Sequence, residues 1–152
     1  MRIIKLLCIL ILVLGIFSFA LAEETKRIAT IYELNGKVEV KTNQGKWIPA
    51  EVGMILNQGD SIRTQKNSSA ILNLDGDAQT AQVEIRENTN LSLAELKEEK
   101  DKQTTLLDLS LGQILIKAKK LQSEESKFEV KTPTSIVGVR GTTFSVTVEA
   151  VE

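Results

Sequence analysis

The side chains that most often carry catalysis are almost missing. Histidine does not occur among the 152 residues, and the single cysteine is Cys8. Without them no zinc site, Cys–His dyad or Ser-His-Asp triad can be assembled. Carboxylates remain, and a facing pair can hydrolyse glycosides unaided. Here the acidic residues mostly alternate with apolar ones or gather between apolar runs, so no such pair is singled out. The expectation is a protein that is not an enzyme and carries no cofactor. Asp75-Gly76-Asp77 spaces two carboxylates as calcium loops do, but the further oxygen ligands and the late Glu of such a loop are missing. A polar turn is expected there, and no metal. Lys117, Lys119 and Lys120 form a small basic cluster that Glu124 and Glu125 offset, which fits a solvated strand end. Trp47, in Gly45-Lys46-Trp47-Ile48-Pro49, could stack on a sugar. With so few aromatics in the chain, a core anchor is the expected role.

The densest constellation runs from Lys131 through Thr132, Pro133, Thr134, Ser135, Ile136, Val137, Gly138, Val139, Arg140, Gly141, Thr142 and Thr143 to Phe144. Pro133 fixes φ and lacks a donor, which suits the start of a strand or an edge. Gly138 and Gly141 bracket Val139-Arg140 and allow the backbone to bend or to approach another strand closely. Arg140 presents a rigid fork of donors. It has two open roles: half-buried and paired with a local carboxylate or with carbonyls, or turned outward to grip a partner's carboxylate. Nothing catalytic stands beside it, so the structural role is the one expected.

The elements that must hold these residues read as short strands. Period-two alternation recurs at Val38 and Val40, at Ala70, Leu72 and Leu74, at Leu107, Leu109 and Leu111, at Ile114 and Ile116, at Phe128 and Val130, and at Phe144, Val146 and Val148. A strand sends successive side chains to opposite faces, so each run has one wet and one buried face. Asn35-Gly36 suits a type I′ turn between two such runs. Further breaks fall at Asn43-Gln44-Gly45, Gln58-Gly59-Asp60, Asp75-Gly76-Asp77 and Gly112. Ser92 with Glu95 matches a capping box, and 94–100 favours helix locally. The flanking alternation favours a hairpin with a charged tip at about 98–103, and the charged break 119–127 is expected to be a second one. Gly36-Lys37-Val38-Glu39-Val40-Lys41 echoes Gly112-Gln113-Ile114-Leu115-Ile116-Lys117. The fold class is all-β, with short antiparallel strands as a sandwich, meander or solenoid-like stack.

Residues 1–22 stand apart. Arg2 and Lys5 precede an apolar run from Leu6 to Phe19, and Ala20-Leu21-Ala22 then leads into Glu23. A basic start, an apolar stretch and an A-x-A site make a secretory signal peptide cut between Ala22 and Glu23. The alternative is an uncleaved N-terminal anchor, although the 17 residues from Leu6 to Ala22 are short of the roughly 20 that span a bilayer. Either way the rest of the chain faces outward. Residues 23–27 form a short extension, and 28–149 a single domain. The whole chain has 19 basic and 20 acidic residues, a net charge of −1. That balance excludes a dedicated nucleic-acid binder and a highly charged disordered tail. No membrane span is expected after cleavage.

Thr132-Pro133-Thr134-Ser135-Ile136-Val137-Gly138-Val139-Arg140-Gly141-Thr142-Thr143-Phe144 resembles the signature of the FecR domain family. Leu34–Val40, Trp47–Ala50, Val52–Leu56, Gly59–Thr64 and Ser69–Gly76 are similar in order and spacing to its opening strands, so the resemblance runs from about Ile28 to Val148. It implies a bacterial, extracytoplasmic, all-β domain. The family's namesakes relay a signal from an outer-membrane receptor to a cytoplasmic sigma factor, which a cytoplasmic N-terminal segment holds. Only Met1–Lys5 precede the apolar run here, so anti-sigma activity is not carried over. The expectation is a stand-alone exported domain in the periplasm or beyond, a non-catalytic binding, scaffolding or signal-receiving module that contacts an envelope protein. The alternative is a module for cell-wall carbohydrate. Thr132, Pro133, Gly138, Val139, Arg140, Gly141 and Thr142 are the candidate structural or partner-contact residues.

Overall fold

The computed structural model describes residues 25–43, 45–76, 80–121 and 123–150. The expected leader, its Ala22/Glu23 cleavage point, and Asp77 lie outside the described residues.

Among the described residues every element is a strand, and the strands fall into two sheets that share one long member. Sheet A contains β1 (Thr25–Lys26), β3 (Val38–Lys41), β4 (Trp47–Pro49), β6 (Ser61–Thr64), β9 (Asn90–Glu99), β11 (Lys127–Lys131) and β12 (Ile136–Val139). Sheet B contains β2 (Ala29–Asn35), β5 (Ile55–Leu56), β7 (Ser69–Leu74), β8 (Ala81–Ile85) and β13 (Thr143–Val148). The long strand β10 (Lys102–Ala118) pairs with β9 and β11 through its first half and with β8 and β13 through its second. The order is β4-β3-β6-β9-β10-β8-β7-β2-β5, with β11 and β12 extending sheet A beyond β10 and β13 flanking β10 in sheet B. The fold is all-β and mostly antiparallel, as the alternation predicts; of the sandwich, meander and solenoid-like stack left open there, the strands form one continuous curled sheet whose two layers share β10.

Gly112 makes the shared strand possible. Its φ is +96°, and a Cβ there would lie 2.5 Å from Thr89 Cα, so only glycine lets β10 turn from one sheet into the other. Elsewhere the chain changes sheet at short corners holding Gly36, Gly53, Gly59, Asn67, Asn88 or Gly141, all with positive φ. Strands that repeatedly change layer in this way give the echo between the two glycine-led runs, because each glycine is a corner and the alternating residues after it enter the core.

That core is aliphatic. Ile31, Val40, Ile62, Leu72, Val83, Ile85, Leu91, Leu93, Leu107, Leu109, Ile114 and Ile116 are fully buried, with Phe128 as the one large aromatic among them. Burying side chains of this size stabilises by about 1.5–3 kcal/mol each before chain entropy is counted.

Several local expectations give way. Asn35-Gly36 does not close a hairpin: β2 and β3 lie in different sheets, and only Gly36 has positive φ. β2 pairs with β7 and β3 with β6 instead, and at the corner Ser68 Oγ accepts from Lys37 N at 2.9 Å and leaves no room for a Cβ on Gly36. The tight two-residue turn that does have positive φ at both positions is Lys100-Asp101, at 49° and 66°, between β9 and β10. The capping-box segment is therefore strand, ending in the charged tip expected at 98–103. The second charged break is not a hairpin. β11 runs parallel to β10, with Thr105 beside Phe128, so the chain after Ala118 crosses from sheet B to sheet A before pairing. Residues 25–27, placed ahead of the domain by the sequence reading, take part in it: Thr25 and Lys26 pair with β9, and Arg27 is 3% exposed.

Candidate functional site

The signature segment builds one edge of the fold. Thr132 leaves β11 and closes a tight turn: its backbone N donates to Ser135 O at 2.8 Å, and its Oγ1 accepts from Ser135 N at 3.0 Å. Pro133 sits inside that turn, where its missing donor costs nothing. β12 then returns antiparallel to β11 in unbroken register, with Val137 opposite Val130 and Val139 opposite Phe128. Val139 is buried and faces the core, while Ile136 is 62% exposed on the outer face.

After Val139 the chain crosses to sheet B. Arg140 is exposed, and its Nη2 donates to Glu124 O at 2.9 Å. Among the described residues it has no carboxylate partner. It thus meets a carbonyl, one of the partners foreseen, but without the burial foreseen. Gly141 has a φ of +64°, and a Cβ on it would lie 2.7 Å from Lys120 Cα. The corner therefore rests on the crossover from β10 to β11, and Thr142 O accepts from Ala118 N at 3.2 Å as β13 begins. Gly138 is different: its φ is not positive, and none of the described residues lies within 4 Å of where its Cβ would stand.

Two clusters lie outside the signature. Arg27 donates to both oxygens of Asp75 (Nε to Oδ1 2.9 Å, Nη2 to Oδ2 2.6 Å), to Thr104 O at 3.2 Å and to Thr105 Oγ1 at 2.8 Å. Asp75 belongs to this clamp. Among the described residues no group of three His, Cys, Asp or Glu could hold a metal ion. Nothing in the sequence joins the two: Arg27 and Asp75 are 48 residues apart, and the Asp75-Gly76-Asp77 spacing points to a turn, not to an arginine partner. Trp47 is also placed differently from expectation. It is half-buried on the edge strand β4, with the Arg63 guanidinium 4.2 Å from its ring centre, and Phe128 fills the core role instead. Arg63 Nε also donates to Glu39 Oε2 at 2.9 Å, and this bond holds the Glu39 carboxyl below the ordinary carboxylate range.

The edges of the sheets differ. Each of β4, β5, β12 and β13 pairs on one side only among the described residues; β4 ends in Pro49 and β5 has two residues, whereas β12 and β13 contain neither proline nor charge. A groove of about 460 Å³ separates β12 from β13, lined by Leu111, Pro133, Val137, Val146 and Val148 among others.

The last corner of this all-β fold carries the Thr132–Phe144 signature. Residues 60–151 match the family model described as FecR protein, and the chain belongs to that family. The match begins after β5, so the first strands complete the fold ahead of the matched region. No curated protein and no solved structure matches the chain. The family works in envelope signal transduction. Among the described residues no helix is long and apolar enough to cross a membrane.

Proposed function

We propose that this protein is a non-catalytic, extracytoplasmic contact module, receiving a signal or scaffolding a partner protein in the bacterial cell envelope. Export by the 1–22 leader with cleavage before Glu23 places it there; an uncleaved leader would tether it on the same side. The observation that carries the reading is the unequal treatment of the sheet edges. Natural sheets blunt their edges with proline, charge or short length, because an open row of N–H and C=O groups invites another strand. β4 and β5 are blunted in these ways. β12 has no proline and no charge within Ile136–Val139, and it offers an apolar outer side chain. Strand addition needs only backbone groups and pockets for alternate side chains, which suits a chain without catalytic side chains.

Binding of wall carbohydrate, the alternative, needs an aromatic platform, and the Trp47 ring already carries Arg63. Trp47 fluorescence that stays unshifted with peptidoglycan fragments is the expected result. The main test is photo-crosslinking in cells from three exposed edge positions, Ile48, Ile55 and Ile136. An envelope protein trapped repeatedly from at least one is expected, and none from any overturns the reading. N-terminal sequencing of the exported protein is expected to begin at Glu23.

A further inference from the structure

Resting on that contact reading, we infer that β12 takes up an extended segment of a partner protein that lays an aromatic side chain across Gly138 and offers a carboxylate to Arg140. Glycine inside a strand has few physical reasons: a bulge, a sharp bend, or the close approach of a ligand or another backbone. The β11–β12 register is unbroken, so there is no bulge. The φ of Gly138 is not positive, so no left-handed bend requires it, and among the described residues nothing approaches its missing Cβ. A contact from beyond the described residues accounts for its place.

The surroundings state what that contact is. On the outer face Gly138 leaves a notch between exposed Ile136 and exposed Arg140, with Glu129 opposite on β11. An aromatic ring laid over an edge glycine shields the bare backbone and restores a cross-strand pair. Arg140 spends one donor on Glu124 O and has no carboxylate of its own among the described residues, so its remaining donors are available to a carboxylate that would pair with it bidentately. On the inner face the groove between β12 and β13 is lined by Val137, Val146 and Val148 and accepts aliphatic side chains. In antiparallel addition the residue facing Arg140 precedes the residue facing Gly138 by two. The partner pattern is therefore Glu or Asp, an aliphatic residue, an aromatic residue, then an aliphatic residue.

The probe is the labelled peptide Lys-Thr-Glu-Val-Tyr-Val-Thr-Lys, read by fluorescence anisotropy against the whole protein. Saturable binding is expected, weakened about tenfold or more when the peptide's Glu becomes Gln, as for loss of a charged hydrogen bond, and weakened likewise when its Tyr becomes Ala. Arg140→Gln is expected to abolish the preference for Glu over Gln. Gly138→Val fills the notch while its Cβ meets open space, so the variant is expected to melt no lower than wild type yet to lose the peptide. Equal binding by Gly138→Val, indifference to both peptide changes, or no binding at all overturns the assignment. If the peptide fails while crosslinks form from Ile48 or Ile55, β12 is wrong and the contact function stands. If crosslinks fail at all three positions as well, both fall.

Discussion

Two arginines sit on the chain segments that pass between the sheets, and the molecule treats them in opposite ways. Arg27 lies between β1 and β2. Its guanidinium is closed on all sides, with a bidentate carboxylate, a carbonyl and a hydroxyl, and its side chain is 2% exposed. Arg140 lies between β12 and β13, touches one carbonyl and faces water. The same side chain thus serves as an internal rivet at one corner and as an unspent group at the other. A charge removed from water must have all its partners inside the fold, whereas a charge left at an edge is free to find one elsewhere.

Removing Asp75 breaks the closed site most severely. Asp75→Ala leaves the Arg27 charge buried and unpaired, and a loss of about 3–5 kcal/mol in urea unfolding is expected. Replacing both partners, as Arg27→Leu with Asp75→Leu, is expected to recover much of that loss, since an apolar pair carries no desolvation cost. Arg140→Ala, by contrast, is expected to move stability by no more than about 0.5 kcal/mol, the range of an exposed surface change. Equal losses at the two arginines would erase the distinction between them.

The glycines of the signature sharpen the same contrast at smaller cost. Gly141→Ala meets both a positive φ and the Lys120 backbone, so a loss of about 1–3 kcal/mol is expected. Gly138→Ala meets neither, and is expected to be neutral or to stabilise by up to about 1 kcal/mol. Thermal melts of the two single variants read the difference directly. A destabilised Gly138→Ala would mean that the strand itself needs the glycine, and the open notch would lose its meaning.

How far the sequence discloses all this depends on range. Alternation at Leu107 and Leu109 or at Phe128 and Val130 is a local record of facing a core, and it marks the strands correctly. The need for glycine at 141 is also local, since a corner demands it. Which strands pair is not local. Asn35-Gly36 carries the composition of a hairpin turn, yet β2 pairs with β7 and β3 with β6, strands that lie much further along the chain. Lys100-Asp101 lacks that composition and makes the tight turn because the β9–β10 ladder holds both its sides. Arg27–Asp75 and Arg63–Glu39 join residues 48 and 24 apart, and no spacing rule reaches that far. Trp47 was assigned to the core on scarcity of aromatics alone. Position on an edge strand overrides that argument: β4 lies at the margin of sheet A, and the Trp47 ring meets the Arg63 guanidinium there.

The smallest effect concerns the other edge of sheet A, where Arg63 joins Glu39 to Trp47. The hydrogen bond from Arg63 lowers the Glu39 pKa in the folded protein, against the opposing pull of its partial desolvation. A carboxyl whose pKa is lower folded than unfolded adds stability above its unfolded pKa and loses it as pH falls through the folded value. The melting-temperature gap between wild type and Arg63→Gln should therefore be open at pH 7 and narrow as the solution is acidified below the ordinary carboxylate range. It should not close fully, because the stacking of Arg63 on Trp47 does not titrate there and is worth about 0.5–1 kcal/mol at an exposed site. Trp47→Leu isolates that residue of the gap: in the Trp47→Leu background, Arg63→Gln should cost nothing at acid pH. A gap of constant size from neutral to acid pH would assign the whole role of Arg63 to the ring, and would make this edge an apolar seal instead of an ion pair.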